Sequence, residues 1–260
     1  MRIIAITAVV LALTITAALL ILQTEEIEQK KISASNRSLE QRAGTRYQFV
    51  ASLFTPVLKE ISPPAFQGAN SIWGSTGRDD NGHIWLGVSG SGKDPAHLVE
   101  FDPELDRFID HGDPVAALRS AGIYRDGEQQ VKIHSKIIQM DDGWLYFASM
   151  DETGENSKSG QLPRWGSHFW RYNPSADHWQ HLFAAPEGLI AVSGVGRFVY
   201  ALGYWGHILY QYDTHTGESR QIRVGSEGGH ISRNLISDSN GHVYVPKVKY
   251  IKLKPEGDND

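Results

Sequence analysis

From residue 73 onward apolar and polar positions alternate in short runs, and each run stops at Gly, Asn, Asp or Pro. Alternation of period two predicts half-buried strands, and the breaks predict hairpin turns. The run against which the others align is residues 165–183, W-G-S-H-F-W-R-Y-N-P-S-A-D-H-W-Q-H-L-F. Aligning Tyr172 with Tyr212 sets Trp165-Gly166 on Trp205-Gly206, Phe169 on Leu209 and Trp170 on Tyr210. Aligning it with Phe101 sets His168 on His97, Asn173-Pro174 on Asp102-Pro103 and Trp179 on Phe108. Each copy reads as strand, polar turn, strand, so the chain is built of repeats.

A second motif precedes each hairpin. G-H-I-W-L-G, G-W-L-Y-F-A, R-F-V-Y-A-L and G-H-V-Y-V-P carry Trp85, Tyr146, Tyr200 and Tyr244 at one shared position, 61, 54 and 44 residues apart. An acidic turn stands before three of them: Asp79-Asp80-Asn81, Asp141-Asp142 and Asp238-Ser239-Asn240. About four short strands per unit at such a period predict an all-β chain of propeller blades, some four units in number. Two expectations follow: 143–148 and 241–245 are equivalent innermost or near-innermost strands, and Tyr146 and Tyr244 are buried alike. The insert that lengthens the first spacing contains V-A-A-L-R-S, read as a short helical turn closed by Gly122. After Val245 only fifteen residues remain, so the fourth unit lacks its outer hairpin. Residues 47–58 could return to close a four-bladed ring; the favoured reading is a truncated or incomplete ring, because the tail lacks the Asp/Asn-Pro turn.

Residues 3–22 form an uncharged apolar run long enough to cross a bilayer as a helix. A cleaved signal peptide would have a shorter apolar region ending in small residues, unlike Leu19-Leu20-Ile21-Leu22-Gln23. The expected organisation is therefore a transmembrane signal-anchor over 1–23, a polar stalk over 24–46 and the repeats over 47–260. The two lysines Lys30 and Lys31 lie farther from the run than Arg2, which keeps the N-terminus in the cytoplasm and puts the repeats outside it.

Composition narrows the chemistry. A formal charge of −5 provides no basic surplus for phosphate backbones, which argues against nucleic acid as a partner. The absence of cysteine excludes disulfides, thiolate catalysis and an acylated-cysteine anchor. Residues 87–93, G-V-S-G-S-G-K, satisfy most of a phosphate loop, but Asp94 and Pro95 stand where Ser/Thr and a helix should follow, so a glycine-rich connection is the better reading. The Asp-Asn-Gly turns lack the further ligands of a calcium loop.

Y-N-P-S-A-D-H-W-Q-H-L and F-D-P-E-L-D-R-F-I-D-H resemble the second half of kelch repeats, and D-D-N-G-H-I-W-L-G is similar to blades of bacterial periplasmic sensor propellers of the two-component-regulator and lyase-like kinds. The only Gly-Gly pair, Gly228-Gly229, lies between units, so the resemblance reaches the propeller architecture and not the kelch family. It implies ligand binding at one mouth of a central channel. His134 and His230 stand at the start of innermost strands there and could hold a divalent metal. Lys136, Arg164 and Arg233 add charge suited to a carboxylate or sulfate. Trp165 and Trp205 could be stacking platforms or blade packing, and His207 flanks the same Trp-Gly. His97 and His168 share a repeat position and read as structural, a reading equally open for His134 and His230.

Two classes of function remain. One is a membrane-tethered extracytoplasmic propeller that binds or senses a carbohydrate or protein ligand. The other is a metal-dependent lyase or hydrolase acting on acidic carbohydrate, in which a metal neutralises the carboxylate while a base removes a proton. No pair of carboxylates and no nucleophile-base spacing supports the enzyme, and a propeller that has lost all activity is a further possibility.

Overall fold

The computed structural model describes residues 58–63, 65–156, 159–204, 208–224 and 234–246. The chain divides into two units, Met1–Glu60 and Ile61–Asp260. Of the first, only residues 58–60 are described. The apolar run 3–22 and the stalk therefore lie outside the described residues, among which no helix is long and apolar enough to cross a membrane.

The described residues of the second unit are all-β with one short helix. Its first sheet is an antiparallel meander of β1 (Thr76–Arg78), β2 (Ile84–Val88), β3 (His97–Asp102) and β4 (Arg107–Asp110). The helix α1 (Pro114–Ser120) follows. In the second sheet, β5 (Lys132–Ile133) and β6 (Ile138–Gln139) share the inner position against β7 (Leu145–Asp151), with β8 (Gly166–Asn173) and β9 (His178–Ala185) outside. The third is the meander β10 (Leu189–Val195), β11 (Phe198–Gly203), β12 (Ile208–Asp213) and β13 (Ser219–Arg223). The fourth has two described strands, β14 (Ile236–Ser237) and β15 (Val243–Tyr244). Residues 87–93 run from the end of β2 into its connection to β3, strand to strand, as the glycine-rich reading required.

The turns explain why the repeats fold locally. In the first and fourth units Asp79 and Asp238 each accept the backbone N–H of the His four residues on, at 2.9 and 3.0 Å. Their second oxygens accept Trp85 Nε1 at 3.0 Å and the Tyr244 hydroxyl at 2.9 Å. One carboxylate thus closes the turn and holds the aromatic of the next strand. Met140 occupies that place in the second unit, and Asp142 reaches the Tyr146 hydroxyl instead, at 2.7 Å. The outer hairpins use an equivalent device: Asp102, Asn173 and Asp213 each accept two backbone N–H groups from the turn they open.

Alternation along each second strand decides which sheets meet. On β7, Leu145 and Phe147 face Trp85, Leu98 and the helix residue Leu118, while Tyr146 and Ala148 face Val199, Ala201 and Tyr212. Tyr200 and Leu202 pack in turn with Leu235 and Val243. The two repeated aromatic positions touch across each of the first two interfaces: Trp85 against Tyr172 at 5.5 Å and Tyr146 against Tyr212 at 6.1 Å between ring centroids. Each such buried ring contributes on the order of 1.5–3 kcal/mol. The same rule in a closed four-unit ring would set Tyr244 on Phe101. Tyr244 is instead 53% exposed, whereas Tyr146 is fully buried. The expectation that the two tyrosines are equally buried fails, although both lie on the second strand of their sheets, because among the described residues no sheet covers β15. No closed propeller is formed by the described residues. The closing role considered for residues 47–58 falls almost wholly outside them.

The insert forms a helix over Pro114–Ser120, with Asp113 as N-cap accepting Ala116 N–H at 2.8 Å and Gly122 at φ +70° just past its end. This is the helical turn expected from V-A-A-L-R-S, begun one residue earlier by Pro114, whose ring suits the first helical position.

Candidate functional site

The inner strands of consecutive sheets lie against one another: β1 against β6, β6 against β10, and β10 against β14. The approach at β1 is close enough that Ile137 N–H donates to the Thr76 carbonyl at 3.2 Å, and a Cβ on Gly77 would run into the Ile137 carbonyl oxygen. Gly194 lets β10 sit equally close to Met140 and Ile138. Where β6, β10 and β14 meet they leave a cavity of about 340 Å³, lined by Lys136, Ile138, Val192, Ser193, Leu235 and Ser237 among others.

Three polar groups set its chemistry. Ser193 and Ser237 hydroxyls are 2.8 Å apart, and Ser237 also donates to the Gly194 carbonyl at 2.8 Å. With the Ser237 proton committed there, Ser193 is the donor between them, and its proton is the one a ligand could redirect. The third group is the exposed ammonium of Lys136, which pairs with no carboxylate among the described residues.

The inner strand of the second sheet is broken between β5 and β6, and the break carries His134 and Lys136. Ser135, between them, turns its hydroxyl inward to accept Ala148 N–H at 2.8 Å, in place of a backbone carbonyl. His134 therefore lies within the inner strand and not at its start, a correction to the sequence reading. Its ring lies 6.0 Å from that of Trp73, which is 46% exposed and carries the Lys132 ammonium 4.9 Å from its centroid.

The remaining predicted site residues scatter. Arg164 and Trp165 stand at the start of β8, where the guanidinium groups of Arg164 and Arg125 lie 4.4 and 4.9 Å from the Trp165 centroid. Trp165 Nε1 donates to the Gly127 carbonyl at 3.2 Å. Two guanidinium groups therefore already lie close to that ring. Trp205, His207, His230 and Arg233 lie outside the described residues. Among the described residues no group of three His, Asp or Glu side chains is placed to hold a metal ion.

His97 and His168, read as structural, are both engaged by neighbouring side chains. His97 stacks on Phe66 at 3.9 Å and contacts Asp110 at 2.8 Å. His168 is buried, with Nε2 at 2.6 Å from Glu128 and Nδ1 at 2.8 Å from His181 Nε2. Burial pushes the Glu128 carboxyl up, but the hydrogen bonds and charges of His168 and Arg125 outweigh it and hold the group below the ordinary glutamate range. His181, buried and facing the charge of His168, falls to about 4 and stays neutral at neutral pH. Glu128 lies in an irregular loop and His181 is brought to His168 by a bulge in the pairing of β8 with β9, so neither partner is visible as a spacing.

No family model and no curated protein matches this chain. Among solved structures, it is similar to the extracellular domain of a one-component system of B. thetaiotaomicron, at 14% identity and a TM-score of 0.47, covering 71% of this chain and 22% of that one. It is similar to a computationally designed protein at 14% identity and a TM-score of 0.45, covering 75% of this chain and 100% of that one. An auxiliary nutrient binding protein of Bacteroides thetaiotaomicron follows at 11% identity and a TM-score of 0.42, covering 69% and 36%. The chain thus spans about a fifth of the first of these, and at such identities and TM-scores the likenesses assign neither family nor function.

Proposed function

We propose that this chain is a ligand-binding or sensing module of propeller type, its sheets acting as blades, held outside the cytoplasm by the apolar run 3–22. The ligand is a small molecule bearing a carboxylate or sulfate, such as an acidic sugar, and its site is the inner-strand cavity. The observation that carries this reading is that the exposed Lys136 lines the same cavity as the Ser193 and Ser237 hydroxyls, where three consecutive sheets converge. A cation supplies the charge, and the hydroxyls supply directional hydrogen bonds that a rigid strand framework keeps in place. His134, two residues before Lys136 on the same broken strand, is a further contact at the mouth.

The test is calorimetric titration of the full chain in mild detergent with galacturonate, and with galactose as the uncharged counterpart. Galacturonate should bind, Lys136→Ala should weaken it by about tenfold or more, and galactose should not compete. His134→Ala should leave the urea midpoint nearly unchanged and weaken binding. Equal response to both sugars, or galacturonate binding that Lys136→Ala does not alter, would overturn the proposal.

A further inference from the structure

A second cavity lies away from the inner strands, between α1 and the outer strand β9. It is a cleft of about 640 Å³, within the size range of pockets that take one- or two-ring ligands. Its apolar wall is Ala116, Ala117 and Ile123 from the helical insert, faced by the ring of Trp179. Its polar groups come from β9 and the turn into it, from the loop before α1, and from Ser120 at the end of α1. No Lys or Arg lines it, in contrast to the inner-strand cavity.

Most of the polar groups in this cleft are already matched, which fixes what is left to offer. His111 lies between Glu100, 2.7 Å from its Nε2, and the Tyr172 hydroxyl, 2.6 Å from its Nδ1. Tyr172 donates to Asp177 Oδ1 at 2.6 Å. Trp179 Nε1 donates to the His111 carbonyl at 2.8 Å, which locks the indole in place. His181 is uncharged, since burial and the charge of His168 lower it to about 4. The second oxygen of the exposed Asp177 carboxylate remains as an acceptor. Hydrogen bonds from Tyr172 and His111 keep that carboxylate ionised to below the usual aspartate range. Asp113, capping α1 through one oxygen, keeps its other oxygen at the opposite rim.

From this arrangement we infer that the cleft between α1 and β9 is a second binding site, for an uncharged saccharide of one or two rings. A sugar ring presents an apolar C–H face suited to the Trp179 indole and a rim of hydroxyl donors suited to the free carboxylate oxygens of Asp177 and Asp113. An anion is disfavoured: the ionised Asp177 and the Asp113 side chain stand at the rim, and no Lys or Arg is among the lining residues. The site is independent of the inner-strand cavity in both position and preferred charge.

Saturation-transfer NMR on the full chain with maltose, and with glucuronate as the charged comparison, tests the inference. Maltose should receive saturation, and glucuronate should not displace it from this site. Asp177→Asn keeps an oxygen for Tyr172 but removes the charge, and should weaken maltose binding by about tenfold. Ala116→Trp places a large ring in the cleft from an exposed helix position, so it should abolish the signal while leaving the unfolding midpoint unchanged. Lys136→Ala should leave it intact. Absence of maltose binding overturns the inference, as does binding that survives Ala116→Trp, is lost in Lys136→Ala, or is displaced by glucuronate.

Discussion

Removing the Glu128 carboxylate should destabilise the repeat unit more than any surface change. Its side chain is fully buried; one oxygen takes His168 Nε2 at 2.6 Å and Gln130 Nε2 at 2.9 Å, and the other faces Arg125 Nε at 3.3 Å. In Glu128→Ala, the donors of His168 and Gln130 are left in a water-poor interior. Breaking a buried charged pair from one side costs about 3–5 kcal/mol, against a total stability of roughly 5–15 kcal/mol for a domain. With a urea slope of about 2–3 kcal/mol per molar, the midpoint should fall by about 1–2 M. Glu128→Gln preserves shape and one acceptor oxygen and should cost roughly half as much. The assay is urea unfolding of the full chain followed by tryptophan fluorescence, for which the chain has seven reporters. The double variant Glu128→Leu/His168→Phe should recover part of the loss, because it removes the His168 donor and Gln130 Nε2 keeps the Gly166 carbonyl at 3.3 Å. A midpoint shift of under about 0.3 M for Glu128→Ala at unchanged slope would refute the reasoning, by showing that water reaches the donors and replaces the carboxylate.

Acidification should act through His181. Its folded value of about 4 lies below the ordinary 6.5, so between those values the unfolded chain binds a proton that the folded chain refuses. Stability therefore falls as pH drops through that window, and urea midpoints measured across it should slope less steeply in His181→Phe. Gly166→Ala should cost at least about 1–3 kcal/mol, because φ is +69° there and the new Cβ would meet the Ala185 carbonyl oxygen; thermal unfolding reads the loss. Tyr146→Phe removes a hydroxyl bonded to Asp142 inside an interface and should cost about 1 kcal/mol. Tyr244→Phe, at the equivalent but half-exposed position, should leave the same midpoint unchanged.

The repeat was legible because its causes are local. Period-two alternation places Leu145 and Tyr146 on opposite faces of one strand whatever lies beside it, and the D-x-N-G-H turn closes on its own backbone through Asp79 or Asp238. The alignment of Phe101, Tyr172 and Tyr212 carries directly into the strand register, where Phe101 pairs with Phe108 and Tyr172 with Trp179. The site was only partly legible. Lys136 was named for the positive charge it adds beside His134, and it does line a cavity. Ser193 and Ser237, its partners there, are 44 residues apart and unremarkable in composition.

What the sequence determined by itself, then, is everything set by neighbours along the chain: strand periodicity, turn chemistry, the capped helix of the insert and the register of each hairpin. Which sheet lies on which, and hence the burial of Tyr146 against the exposure of Tyr244, was decided only in three dimensions, since identical local motifs acquire different depths when one face has no covering sheet among the described residues. The same holds for the charged chemistry. His168 was readable as a repeat position, but its bonds to Glu128, 40 residues away, and to His181 across a bulge depend on how loop and strand meet. Hydrogen bonds between distant side chains leave no periodic trace, because their geometry belongs to the packing of whole sheets and not to any one segment.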